Sequence, residues 1–134
     1  MKHSFYRYTV KFICGNSDGS ILARGKYWTA INVHNPNEKV DVNYRKRFSV
    51  AKPGEKAGPI SAWIDDEILH PWESMEIDNQ DIFKHLNLNQ PFVKGFAIIE
   101  APLPLEVVAV YTSGILSGVV SSIDVEYVEG KQIK

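Results

Sequence analysis

Apolar and polar side chains take turns along most of this chain, and the period is two. From Val40 onward, Val40, Val42, Tyr44, Phe48 and Val50 fall on one side of an extended segment. Asp41, Asn43, Arg45, Arg47 and Ser49 fall on the other, and Lys46 alone breaks the apolar row. Successive side chains of a strand point to opposite faces, so this is a half-buried strand. Residues 5–14 repeat the pattern, with Tyr6, Tyr8, Val10, Phe12 and Cys14 set against Arg7, Thr9 and Lys11. Tyr27, Thr29, Ile31 and Val33 alternate with Trp28, Ala30, Asn32 and His34. The following His34-Asn35-Pro36-Asn37 carries turn chemistry, because proline fixes φ and asparagine tolerates turn conformations. Residues 25–50 are therefore predicted to form a hairpin around which the other strands are organised.

Short strands are predicted at 60–64 and 73–77, with 52–59 and 65–72 as loops and a turn over 112–118. Residues 92–100 and 105–112 are apolar on both faces, as in central strands covered on both sides or lying at a subunit interface. In 119–128 the alternation places Val119, Ile123, Val125 and Tyr127 inward and Ser122, Asp124 and Glu126 outward. One helix is predicted over 79–87. Asp78 or Asn79 can cap it, Asp81 suits its first turn, Lys84 and His85 suit its end, and Ile82, Phe83 and Leu86 share a face. So short a helix needs packing to persist, which casts it as a plug over one end of the fold. The expected fold is all-β: an antiparallel β-sandwich of about seven or eight strands with one short helix, a single domain over 1–134.

A length of 134 residues with 44% hydrophobic and 23% charged positions suits one soluble domain with a real core. The formal net charge of -1 gives no bulk attraction to nucleic acid, so none is expected as a partner. The apolar runs are too short to cross a bilayer as helices, so no membrane insertion is expected. Cys14 is the one cysteine, which excludes an intrachain disulfide and a multi-cysteine zinc site and fits a small buried hydrophobe. MKHSFYRYTV has no apolar signal core, which makes the cytoplasm the default location and leaves open an earlier, removed leader.

The sequence contains no His-Glu-x-x-His or Cys-x-x-Cys, and Gly15-Asn16-Ser17-Asp18-Gly19 reads as a loop with turn chemistry and not as a nucleophile elbow, so neither an enzyme nor a cofactor is expected. The four histidines, His3, His34, His70 and His85, lie on different elements. A metal-dependent hydrolase would have to gather Asp66 or Asp81 with His70 and His85 by folding. Residues 65–81 hold seven of the sixteen acidic residues, suited to a cation or to general acid/base work, against the plainer reading of a solvated loop. Trp28, Trp63 and Trp72, with Asn32 and His34, are candidates for stacking on a sugar or small ligand, against the alternative that they close the sandwich edges. Arg45 and Arg47, with Lys46 between, can bind an anion or acidic partner. Set against Asp124 and Glu126 on another outer face, they would also favour symmetric self-association.

The runs YTVKFICG at 8–15, TAINVHNP at 29–36, KGF at 94–96, VAVYT at 108–112 and SIDVE at 122–126 resemble a family of small bacterial β-sandwich proteins of unassigned function, over nearly the whole chain. More distantly, the strand order and the Asn-containing first hairpin are similar to the sensory rhodopsin transducer family, tetrameric β-sandwich proteins that bind a membrane photoreceptor. The resemblance implies an oligomeric sandwich and supplies no catalytic motif. The expected function is a non-enzymatic, homo-oligomeric binding module; the alternative is a carbohydrate or small-ligand binding domain.

Overall fold

The computed structural model describes residues 4–115 and 119–134, so His3 and part of the 112–118 turn lie outside the described residues. Ten strands and one helix follow in order: β1 (Phe5–Ser17), β2 (Gly25–His34), β3 (Val42–Lys52), β4 (Lys56–Ile60), β5 (Ile64–Leu69), β6 (Ser74–Ile77), α1 (Asn79–Leu86), β7 (Phe92–Ala101), β8 (Glu106–Gly114), β9 (Val120–Val128) and β10 (Lys131–Ile133). All the pairings are antiparallel, in one ladder ordered β4-β3-β7-β1-β2-β8-β9, with β10 against β1, β5 against β3 and β6 against β2. The ladder turns over on itself between β1 and β2. One layer is built on β3, β7 and β1, the other on β2, β8 and β9, and together they make an antiparallel β-sandwich.

Two residues make the turn-over possible. Gly15 is the position at which β1 faces both Phe92 of β7 and Tyr27 of β2. Its φ is +106°, and a Cβ there would run into the Pro91 carbonyl, so only glycine fits without strain. One step further in, Thr29 lies where the β1–β2 ladder would have continued opposite Ile13. Its buried hydroxyl donates to the Ile13 carbonyl at 2.8 Å and accepts from the Ile13 amide at 2.9 Å. The side chain thus satisfies backbone groups that the parting strands would otherwise bury unpaired.

The core lies between the layers. Val10, Phe12, Phe48, Ile99, Ile31 and Val33 are fully buried, with Phe12 and Phe48 edge to face at 6.3 Å. Across the layers Tyr111 donates its hydroxyl proton to the Lys11 carbonyl at 2.7 Å, and the Leu105 amide donates to the Tyr8 hydroxyl at 2.7 Å. The alternation of residues 5–14 and 42–50 matches these burials, whereas Val40, placed on the inward row, precedes β3 and is 47% exposed. Lys46 is itself buried, its Nζ 2.9 Å from Glu67 of β5.

The predicted hairpin over 25–50 does not form. β2 and β3 lie in different layers, and residues 35–41 cross from one to the other. Asn35, fully buried, holds the crossing. Its Nδ2 donates to the carbonyls of Val40 at 2.9 Å and Leu69 at 3.0 Å, and its Oδ1 accepts from the Asn37 amide at 2.9 Å. Turn chemistry marked the change of direction correctly, but composition carries no information on which strand the chain pairs with after it.

The predicted loops at 52–59 and 65–72 are partly strand. β4 begins at Lys56 and ends at Ile60, and β5 runs through Asp65, Asp66 and Glu67. Three successive carboxylates hide an edge strand, because its outer positions and its pairing bulge between Tyr44 and Lys46 both admit charge. The helix forms as expected. Asp78 and Asp81 make reciprocal capping bonds of 3.0 and 2.9 Å, and Asn87 closes the end at φ 51°. Buried Ile82 anchors α1, which packs against both β2 and β3 and so plugs one end of the sandwich.

Candidate interaction surfaces

The outer face of the β2–β8–β9 layer follows from its register. Trp28 lies opposite Thr112, Ala30 opposite Val110 and Asn32 opposite Val108. The next column places Ile123, Val125 and Tyr127 opposite Thr112, Val110 and Val108. Lys26 stands at one end of these columns and Glu106, paired with His34, at the other; between them no charged side chain intervenes. Ile123 is 66% exposed, Val125 49% and Tyr127 82%. Of the twelve large hydrophobic residues exposed among the described residues, six lie between Ile115 and Tyr127, so apolar surface is concentrated on this hairpin.

The same register reverses the predicted facing of β9. Ile123, Val125 and Tyr127 point out, while Asp124 and Glu126 share a side with Tyr111 and Ala109. The alternation was legible, but its phase was not, because β9 overhangs the other layer and its inner row meets solvent rather than core. Burial, then the nearby Glu126 and Asp124 carboxylates, push the Tyr111 hydroxyl up to about 12. Asp124 and Glu126 are therefore not an outer acidic face complementary to Arg45 and Arg47.

The outer face of the opposite layer is charged and knitted together. Glu100 of β7, only 4% exposed, accepts from Arg7 Nε at 2.7 Å and from Arg45 Nε and Nη2 at 2.9 and 2.7 Å. The Arg45 and Arg47 guanidinium carbons lie 3.9 and 4.6 Å from the Trp63 ring centroid, and Arg47 donates to the Ser61 carbonyl. Lys46, between them in sequence, lies on the inward row, buried and paired with Glu67, and adds nothing to this face. An open cavity of about 730 Å³ lies where β3 and β7 part, lined in part by Phe5, Asn43, Arg45, Asp65, Asp66 and Glu100.

The three tryptophans do not converge. Trp63 belongs to the arginine face, Trp28 to the opposite layer, and Trp72 to the β5–β6 turn, where it is 58% exposed with its ring 6.1 Å from His34. Trp28, Asn32 and His34 share a strand face, but Trp28 and His34 are six residues apart, roughly 20 Å along a strand. His34 Nδ1 lies 2.7 Å from Glu106, and His70 Nδ1 lies 2.7 Å from Glu73. His85 stacks on Phe48 at 5.4 Å, far from any partnership with His70 and Asp66. Among the described residues no group of three His, Cys, Asp or Glu side chains is placed to hold a metal ion. Cys14 is fully buried, and burial pushes its thiol up to about 12 despite hydrogen bonding to Thr29, which removes it from nucleophilic chemistry at neutral pH.

The sequence did not single out Glu100, Lys11, Lys94, Phe96 or Tyr127. Their alternation was visible, but only the β1–β7–β3 register brings Arg7, Glu100 and Arg45 into one row. No family model matches the chain, and no curated protein or solved structure matches it significantly. Among the described residues no helix is long and apolar enough to cross a membrane.

Proposed function

We propose that this protein is a non-enzymatic interaction module that assembles as a homo-oligomer, with the outer face of β2, β8 and β9 packed against the same face of a second copy. The observation that carries this reading is the uncharged, apolar patch formed by Val108, Val110, Ile123, Val125 and Tyr127. A patch without charge at its centre meets its own two-fold copy there without repulsion, which is what an isologous contact requires. Exposed apolar patches of this kind mark contact surfaces. Face packing is favoured over extension of the ladder from the β9 edge, since Asp124 and Glu126 point inward there and would bring like charges together. The reading agrees with the oligomeric sandwich implied by the resemblance to the sensory rhodopsin transducer family.

Light scattering and sedimentation from low to high micromolar concentration test it. The expected result is a stable dimer or larger closed oligomer, which Val125→Lys combined with Tyr127→Lys converts to monomer. A strict monomer at high micromolar concentration would overturn it. The ligand-binding reading is weaker, because the tryptophans occupy three separate places.

A further inference from the structure

The layer opposite that patch presents a second surface of different chemistry. Rows across β3, β7, β1 and β10 place Arg45, Glu100, Arg7 and Lys131 side by side, then Arg47, Ile98 and Thr9, then Ser49, Phe96 and Lys11, then Lys94 and Ile13. Six cations therefore share these rows with a single carboxylate, on a chain whose formal net charge is -1, while Asp65 and Asp66 lie at the margin beside Arg45. That carboxylate, Glu100, is already committed to Arg7 and Arg45. Lys11 and Lys94 have no ion pair among the described residues. Burial, then the neighbouring Lys94, holds the Lys11 ammonium below its ordinary value. In the middle of the cations lies an apolar strip of half-buried Ile98 and of Phe96, 40% exposed.

We propose that this face is a docking surface for an acidic protein segment, whose carboxylates pair with Lys11, Lys94 and Arg47 while its apolar side chains cover Phe96 and Ile98. An apolar centre with a polar rim rich in arginine is the anatomy of a protein–protein contact. Guanidinium forks match carboxylates, and like charges gathered without counter-charge are relieved by an anionic partner. A single-stranded nucleic acid would need open aromatic faces on which to stack its bases. Here Arg7 lies 5.5 Å from the Phe5 centroid and Arg45 and Arg47 cover Trp63, so of these three rings Phe96, 40% exposed with Lys11 4.8 Å from its centroid, is the one left partly open, too little for a stack of bases. This surface extends the interaction-module reading but uses none of the residues of the proposed self-contact, so the two can fail separately.

The probe is a fluorescent twelve-residue peptide of alternating glutamate and leucine, titrated with the full chain at low and moderate salt. An oligothymidylate of equal charge and phosphatidylserine vesicles serve as competitors. The expected result is saturable peptide binding that weakens with salt and falls at least tenfold in Lys11→Gln combined with Lys94→Gln, a change that leaves the Arg7–Glu100–Arg45 bonds intact. Val125→Lys combined with Tyr127→Lys should bind the peptide as the unaltered chain does, whatever its assembly state. Unchanged binding in the lysine variant, or more effective binding of the oligonucleotide or the vesicles than of the peptide, would overturn the proposal.

Discussion

The two outer faces of this sandwich cover the same core, yet they are built on opposite rules. On the β3–β7–β1 face, polar side chains hold one another: Glu100 is buried between two arginines, and Trp63 lies under Arg45 and Arg47. On the β2–β8–β9 face, the side chains of β9 touch little, and Tyr127 stands 82% exposed. The first face invests its residues in the fold of the single chain. The second leaves apolar surface in water, which makes sense for a chain that covers it by association. Stability and assembly should therefore respond to substitution in opposite ways on the two sides.

The largest effect on stability is expected from Glu100→Ala. It leaves Arg7 and Arg45 without their shared acceptor, and hydrogen bonds to charged groups contribute roughly 1.5–3 kcal/mol each to a fold. Both arginines are a little over two-fifths exposed and can rehydrate, so the net loss should be about 2–3 kcal/mol rather than the larger cost of a fully buried broken pair. Urea unfolding measures it, and an unchanged midpoint would mean that the network does not hold this face. Next comes Thr29→Val, nearly isosteric, which strands the Ile13 amide and carbonyl where the layers part. A loss of about 2 kcal/mol is expected, with Thr29→Ser recovering most of it.

How much of this was legible follows from what each signal depends on. Period-two alternation is a local property, so the inward rows of Val10 and Phe12, and of Val42, Tyr44 and Phe48, could be read directly. The cap at Asp78 and the Ile82 anchor were local too. Pairing is not local. Nothing around Asn35 distinguishes a hairpin from a crossing, because the deciding bonds go to Leu69, far along the chain. The phase of β9 failed for a related reason: an overhanging edge strand has no core side for alternation to point to. The arginine face was half visible, since Arg45 and Arg47 stand out in sequence. Glu100, the acceptor that orders one of them together with Arg7, ends an apolar run and looks like its boundary.

A smaller, pH-dependent effect separates the helix plug from either face. His85 stacks on Phe48, and burial, followed by the nearby Lys46 charge, lowers its ionisation below the ordinary imidazole value, partly offset by Asp81. The unfolded chain therefore binds a proton more readily than the folded one. Stability should be full above about pH 6.5 and decline as the pH falls from there through the depressed folded value. Thermal unfolding between pH 8 and pH 5 should show this decline, and His85→Phe should flatten it. An equal decline in that variant would assign the effect to other groups.

The smallest expected effect on the single chain is also the most discriminating. Ile123→Thr combined with Tyr127→Ser keeps β-branching at the first position and removes an aromatic side chain at the second. At 66% and 82% exposure these residues bury little within one copy. If the apolar face is idle in the monomer, unfolding measured under dissociating, dilute conditions should change by less than about 0.5 kcal/mol, as for ordinary surface positions. The proposed association predicts a concentration-dependent rise in melting temperature for the unaltered chain, which the same variant should lose at high concentration. The two readouts together locate the function of the face. A large loss at dilution would mean that Ile123 and Tyr127 serve the fold of one chain, and the contrast between the two layers would disappear. An unchanged concentration dependence would mean that copies meet elsewhere.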